Sequence, residues 1–222
     1  MPRGKEAPPW LPFDPDLKYF PPRTTQFDLR EEVVSTSTES TKPTSTIVGV
    51  ELEFLKTFPD DRGFFREVLR RDDAIFQNSF GQWSHSKMGR NTVKAWHFHH
   101  RQTDWWYCGV GVINTVLYDA REESPTYRTK FEIRMGDSDL DPSAHAVVVK
   151  IPPGVLHGMK VVSEPAHLFY ITDHTYNPQD EGRLPFNTAD VPHNWGPEEE
   201  LITSEKDRKL FIPPYDREKR AK

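Results

Sequence analysis

From Ile47 to about Pro178 the chain is a succession of short β-branched and aromatic runs, cut by Gly, Pro and acidic turn residues at near-regular intervals. IVGVELEF and GFFREVL flank the turn PDDRG, and VGVINTVLYDAR ends in the turn-rich REESPTY. KFEIRMG, AHAVVVK, VLHGMKVV and PAHLFYITDHTY follow, with IPPG making a corner. Runs of this length suit strands, and several of them at even spacing predict an all-β antiparallel barrel or jelly roll. Short helices are expected only at the periphery. EEELITSEKDRKL reads as one, and RDDAIFQNSF as either a second or an irregular loop. In 222 residues we expect one such domain over residues 47–222. Residues 1–46 form a polar arm in which STSTESTKPTST has almost nothing to bury, although Trp10, Phe13, Tyr19 and Phe20 offer docking groups.

Charge and cysteine content narrow the partners. A formal net charge of -5 gives no basic field to gather nucleic acid, so any anionic ligand must be held by local Arg and Lys. The single cysteine, Cys108, excludes an internal disulfide framework and fits a reducing compartment, with cytoplasm expected. MPRGKEAPPW lacks an apolar run of signal-peptide length. No stretch approaches the roughly 20 apolar residues that span a bilayer, so no membrane partner is expected.

Chemistry concentrates in KAWHFHHRQTDWWYCGVG, residues Lys94 to Gly111. Alternate residues of a strand share a face, so His97 and His99 point one way and His100 the other. Asp104 follows on the returning segment. Together with Pro152, Pro153, Gly154 and His157 much later, these residues match the double motif of the cupin barrels, whose metal-binding members use two His and a Glu from the first motif and a His from the second. Here the acid is Asp104, one methylene shorter. A set of His97, His99, Asp104 and His157 binding one divalent transition metal is therefore one reading; an aspartate that only tunes imidazole basicity is the other.

A wider resemblance covers Phe58 to Asp207. FPDDRGFFREVL, QWSHS, VKAWHF, YDAREESPTY, IPPGVLHGM, FYITDHTYNP and TSEKD occur in order. As an ordered set they resemble the dTDP-4-dehydrorhamnose 3,5-epimerase family, the RmlC-type cupins. The resemblance implies a cupin jelly-roll homodimer, with no cofactor, that epimerises a nucleotide-linked 4-keto-6-deoxy sugar by removing a proton beside the ketone and returning one from the opposite face. It places the base at His97, the aspartate that orients it at Asp207, the opposing acid at Tyr170, and His157 near the keto oxygen. Substrate contacts are implied at Arg62, Phe65, Glu67, Gln82, Lys94, Tyr176 and Lys206.

The departures from the family pattern gather in the histidine stretch. Lys94 stands where the family has arginine, Asp104 where it has lysine, His99 where it often has glutamine, and Ser84 where it has asparagine. An enolate facing Asp104 needs a compensating positive charge. A metal could supply it, or Lys94 together with protonated His99 or His157. Two further functions stay open beside the epimerase: a metal-dependent cupin oxygenase or isomerase, and a sugar-nucleotide-binding cupin without catalysis.

Overall fold

A computed structural model describes residues 42–213. Residues 1–41 of the expected arm, and the last nine residues of the expected domain, lie outside the described residues.

The described chain is built from strands β1 (Glu51–Phe54), β2 (Thr57–Asp60), β3 (Gly63–Arg66), β4 (Gln82–Met88), β5 (Val93–His99), β6 (Asp104–Val110), β7 (Val112–Asp119), β8 (Lys130–Gly136), β9 (Val147–Ile151), β10 (Val155–Val161), β11 (Ala166–Thr172) and β12 (Glu181–Arg183). They form two five-stranded sheets, ordered β1-β9-β6-β11-β4 and β12-β5-β10-β7-β8, and a separate hairpin β2-β3. Every strand pair is antiparallel. The two sheets enclose one core, as the jelly-roll expectation requires.

That core takes Trp106, Cys108, Val147, Val149 and Leu168 from the first sheet and Ile113, Leu117, Met135, Val155 and Met159 from the second. Burying each such aliphatic side chain contributes about 1.5–3 kcal/mol. β7 and β10 are buried on both faces, because Phe186, Val191, Trp195 and Leu201 of the C-terminal segment cover the outer side of their sheet, packing on Val116, Tyr118 and Leu156. Their sequences are accordingly continuous apolar runs rather than alternating ones. The IPPG corner forms as expected, with Gly154 at φ +79° and its Cα too close to Arg121 for a Cβ.

Of the two readings of RDDAIFQNSF the irregular loop is the one formed, and the expected C-terminal helix is not. Residues 72–80 are turns: Ile75 and Phe76 are buried beside Trp105 and Val148, while Gln77 and Asn78 take positive φ and stop any helix. In the C-terminal segment only Glu198–Glu200 makes one 3-10 turn. It ends because Leu201 is extended and Ile202 bridges to Thr92, so tertiary pairing overrides local propensity. Among the described residues no helix is long and apolar enough to cross a membrane.

One irregularity matters for the site. Along β10, His157 pairs with His97 but Met159 pairs with Lys94. β5 thus carries an extra residue, a bulge of the kind that re-aims side chains.

Candidate active site

The inner faces of the two sheets part at one end around a cavity of about 230 Å3. β5, β10 and β12 of the second sheet contribute Lys94, His97, His99, His157, Met159 and Glu181. Opposite them, β4, β6 and β11 of the first sheet contribute Gln82, Ser86, Asp104, Trp106, Tyr170 and Thr172. His97 and Tyr170, expected as base and acid, therefore stand on different sheets and face one cavity.

His97 is held from both sides. Its Nε2–H donates to Asp207 Oδ1 at 2.8 Å, and Nδ1 lies 3.5 Å from Glu181 Oε1. Asp207 is 4% exposed. Its other oxygen accepts from Ser204 Oγ at 2.8 Å, its N–H meets the same hydroxyl, and its carbonyl accepts from Phe186 N. Burial pushes the Asp207 carboxyl upward, but the hydrogen bond and charge of His97 and the Ser204 contacts outweigh it and hold the group below the usual carboxylate range. Glu181 arrives through the short strand β12, which pairs with β5 so that Glu181 lies opposite His99 and Arg183 opposite His97. Arg183 Nε donates to Glu181 Oε1 at 2.7 Å.

The bulge in β5 turns Lys94 to the same side as His97, and Lys94 Nζ donates to Ser86 Oγ at 2.8 Å. Among the described residues lining the cavity it is the only Lys or Arg. Burial lowers its pKa, with the charge of Asp207 opposing the shift. His157 is 4% exposed and its Nδ1–H donates to the Val155 carbonyl at 3.1 Å. Burial, and then the positive charge that His99 and His97 can carry, push its pKa well below the ordinary value. Burial and its imidazole neighbours thus oppose protonation of His157.

Of the four residues expected for a metal, His99, Asp104 and His157 come together, their ligand atoms all within 4.8 Å of one another. His97 stands outside this group. Asp104 is buried; Trp106 Nε1–H donates to its Oδ2 at 3.0 Å and the Gln102 amide to its Oδ1 at 2.8 Å. Burial raises its pKa against these hydrogen bonds and the His99 charge. His100 is on the opposite face from His97 and His99, edge-on to Phe98, as alternation predicts.

The substrate contacts divide. Gln82, Lys94 and Tyr176 line the cavity, with Gln82 Oε1 accepting from Tyr176 N at 3.0 Å and the Tyr176 ring exposed. Arg62, Phe65, Glu67 and Lys206 do not. Arg62 and Phe65 are exposed on the β2-β3 hairpin, where Arg62 pairs with Asp60, Glu67 lies just beyond it beside Arg70, and Lys206 is on the surface next to Asp207. The sequence reading missed Glu181, Gln102, Ser86 and Thr172. No local motif marks them, since each reaches the cavity through strand pairing or a loop.

Comparison with known proteins identifies the family. The family model described as dTDP-4-dehydrorhamnose 3,5-epimerase matches residues 44–212. The chain belongs to the dTDP-4-dehydrorhamnose 3,5-epimerase family. That makes it an epimerase-class isomerase. It is 37% identical to the spore coat polysaccharide biosynthesis protein SpsL of Bacillus subtilis over 155 residues, 68% of this chain and 98% of that one. It is 29% identical to the dTDP-4-dehydrorhamnose 3,5-epimerase of Salmonella typhimurium, over 63% of this chain and 77% of the other. Among solved structures, the dTDP sugar isomerase of Desulfovibrio desulfuricans G20 superposes with a TM-score of 0.61 at 30% identity, covering 67% of this chain and 92% of that chain. The jelly-roll expectation and the family resemblance both hold.

Proposed function

We propose that the protein epimerises a nucleotide-linked 4-keto-6-deoxy sugar at C3, C5 or both, with His97 as base and Tyr170 as opposing acid. The observation that carries this reading is their placement on the two facing sheets of one cavity. A sugar ring between them has one face toward each. Asp207 holds the proton on Nε2 of His97, which leaves the Nδ1 lone pair to take a proton from the carbon beside the ketone. The electrons of that C–H bond form the enolate, with charge on O4, and the Tyr170 hydroxyl returns a proton to the carbon from the other face. Lys94 faces the charge that develops on the oxygen. Glu181 stabilises the imidazolium formed at His97.

The cavity, about 230 Å3, is below the roughly 300–1,000 Å3 of pockets that enclose a drug-sized ligand. It accepts the sugar ring, and the nucleotide lies at the mouth against Gln82 and Tyr176. The placement of Arg62, Phe65 and Glu67 outside this cavity supports a homodimer in which the exposed hairpin of one copy reaches the mouth of the other. A reducing, cytoplasmic setting fits the buried, unpaired Cys108.

Incubation with dTDP-4-keto-6-deoxyglucose in D2O tests the reaction. Deuterium is expected at C3, C5 or both by NMR. A folded protein that exchanges neither position of any 4-keto sugar nucleotide offered would sink the proposal. Mixing an Arg62→Ala chain with a His97→Ala chain tests the dimer: partial recovery of activity is expected only if one subunit completes the other's site.

A further inference from the structure

We propose that Asp104, with His157 beside it, selects the sugar by accepting a hydrogen bond from a hydroxyl or ammonium group on C2. The placement of C2 rests on the epimerase reading, which sets the keto oxygen at Lys94 and the nucleotide at Gln82 and Tyr176. Strand register supplies the rest. On β11, Leu168 pairs with Ser86, the residue that holds Lys94, and Thr172 pairs with Gln82 on one side and Asp104 on the other. Leu168 and Thr172 are four residues apart, about 13 Å along the strand, and Tyr170 lies halfway. C4 and C1 are opposite corners of a sugar ring. A ring with O4 at the Lys94 level therefore has C1 at the Gln82 level, which is also the level of Asp104. The ring atoms next to C1 are C2 and the ring oxygen. The ring oxygen can only accept, so a carboxylate at this level suits the C2 substituent.

The wall around Asp104 offers acceptors that still lack donors. Trp106 Nε1–H donates to Oδ2 at 3.0 Å and the Gln102 amide to Oδ1 at 2.8 Å. The other N–H of that amide meets His99 Nε2 at 3.2 Å. Each carboxylate oxygen has two lone pairs, so each keeps one. His157 donates its Nδ1–H to the Val155 carbonyl at 3.1 Å, which leaves Nε2 as an acceptor, and a ring nitrogen of His157 lies within 4.8 Å of an Asp104 oxygen. The nearby Thr172 hydroxyl donates to the His174 carbonyl at 2.6 Å and does not serve them. Asp104 and His157 both line the cavity.

The energetics turn these acceptors into a filter. Asp104 is 4% exposed, and a sugar that fills the cavity excludes water from it. An acceptor that then finds no donor costs free energy, and more if it is charged. A C2 hydroxyl brings one donor. An ammonium brings three and a positive charge, and a bare C2 methylene brings none. Sites built to hydrogen-bond a substrate group reject analogues without it because their own buried polar groups are left unpaired. Protons are removed and returned at C3 or C5, so a contact at C2 selects the substrate without entering the bond changes.

The test uses three 4-keto-6-deoxy sugar nucleotides that share one nucleotide and carry a hydroxyl, an amine or only hydrogen at C2. Calorimetry reads binding and D2O exchange reads turnover, both with the full chain. The parent protein should bind the 2-deoxy sugar about 10–10²-fold more weakly than the better of the other two, and kcat/KM for exchange should fall about 10²-fold or more. Tighter binding of the hydroxyl sugar assigns a hydroxyl to Asp104; tighter binding of the amine assigns an ammonium. Asp104→Asn keeps the shape and removes the charge, so the preference over the 2-deoxy sugar should shrink about fivefold or more. The parent series decides alone if that variant does not fold. Equal binding of all three sugars by the parent would overturn the proposal, as would an undiminished preference in folded Asp104→Asn. Exchange of all three at equal kcat/KM removes the C2 selection and keeps the epimerase. C2-dependent binding with no exchange of any sugar does the reverse, and no binding of any sugar overturns both.

Discussion

His97 Nε2 and Asp207 Oδ1 are 2.8 Å apart although 110 positions separate them in the chain. The contact is made because Phe186 N bonds to the Asp207 carbonyl and Phe186 is packed on the outer side of the β5 sheet. The C-terminal segment is thus a structural cover and also carries Asp207, which on the proposed mechanism orients the base. Asp207→Asn keeps the shape but presents either an amide N–H or a neutral oxygen to the ring. We expect kcat to fall by about 10²–10⁴-fold with KM changed only a few-fold. Steady-state kinetics with the 4-keto sugar nucleotide checks this, and a change confined to KM would remove Asp207 from its role.

How much of this was legible in the sequence follows from the range of each signal. Strand runs, the PDDRG turn and the IPPG corner are local, and they appear where alternation and turn chemistry put them. The shared face of His97 and His99 is also local. Lys94 is different: three residues from His97, it should face the other way in a regular strand, and only the β5 bulge returns it to the cavity. Glu181 was invisible because a three-residue strand without a hydrophobic pattern carries it. RDDAIFQNSF takes the loop rather than the helix alternative, with Ile75 and Phe76 buried on the sheet, and the expected C-terminal helix gives way to burial of Leu201.

Asp119 closes the far end of β7 and is fully buried. It accepts from Arg121 Nε at 2.7 Å and from the Ser124 and Thr126 hydroxyls, both at 2.6 Å. Burial pushes its carboxyl up, but these donors, together with the Arg121 N–H and its second guanidinium nitrogen, hold it well below the usual range. Asp119→Ala leaves Arg121 without its carboxylate, with only the Val48 carbonyl still accepting from it, and should destabilise the fold by about 3–5 kcal/mol at neutral pH. The sign with pH follows from the depressed folded value: the contribution is complete above the unfolded value of about 3.9 and is lost as pH falls toward the folded one. Urea unfolding at pH 7 and pH 3 should show the gap between parent and variant shrinking on the acid side. A gap that widens would contradict this assignment.

On the proposed mechanism Lys94 is the cation for the enolate oxygen, and its Nζ is held by Ser86 Oγ. Lys94→Met should reduce kcat by about 10²–10³-fold, the range for removing one preorganised oxyanion donor. Burial lowers the lysine pKa, so the charged form is lost below the ordinary lysine range as pH rises. The alkaline limb of the kcat profile should therefore fall early in the parent protein and move to higher pH in Lys94→Arg. An unchanged alkaline limb in the arginine variant would mean that another group controls it.

With Tyr170 as the proposed acid, proton removal and inversion can be measured separately. It sits on β11 between Ser84 and Trp106 in the strand register, across the cavity from the base. In Tyr170→Phe the ring and its packing stay while the hydroxyl is gone, so His97 can still remove a proton and give one back to the same face. The expected result in D2O is deuterium incorporated with retained configuration, while net epimerisation falls by about 10²-fold or more. NMR of the recovered sugar nucleotide reads both quantities in one sample. If the phenylalanine variant inverts as fast as it exchanges, the returning proton comes from another donor and Tyr170 is only part of the cavity wall. If it neither exchanges nor inverts while Tm is unchanged, the hydroxyl acts before the enolate forms, and the two-sided mechanism must be redrawn with Tyr170 polarising the ketone.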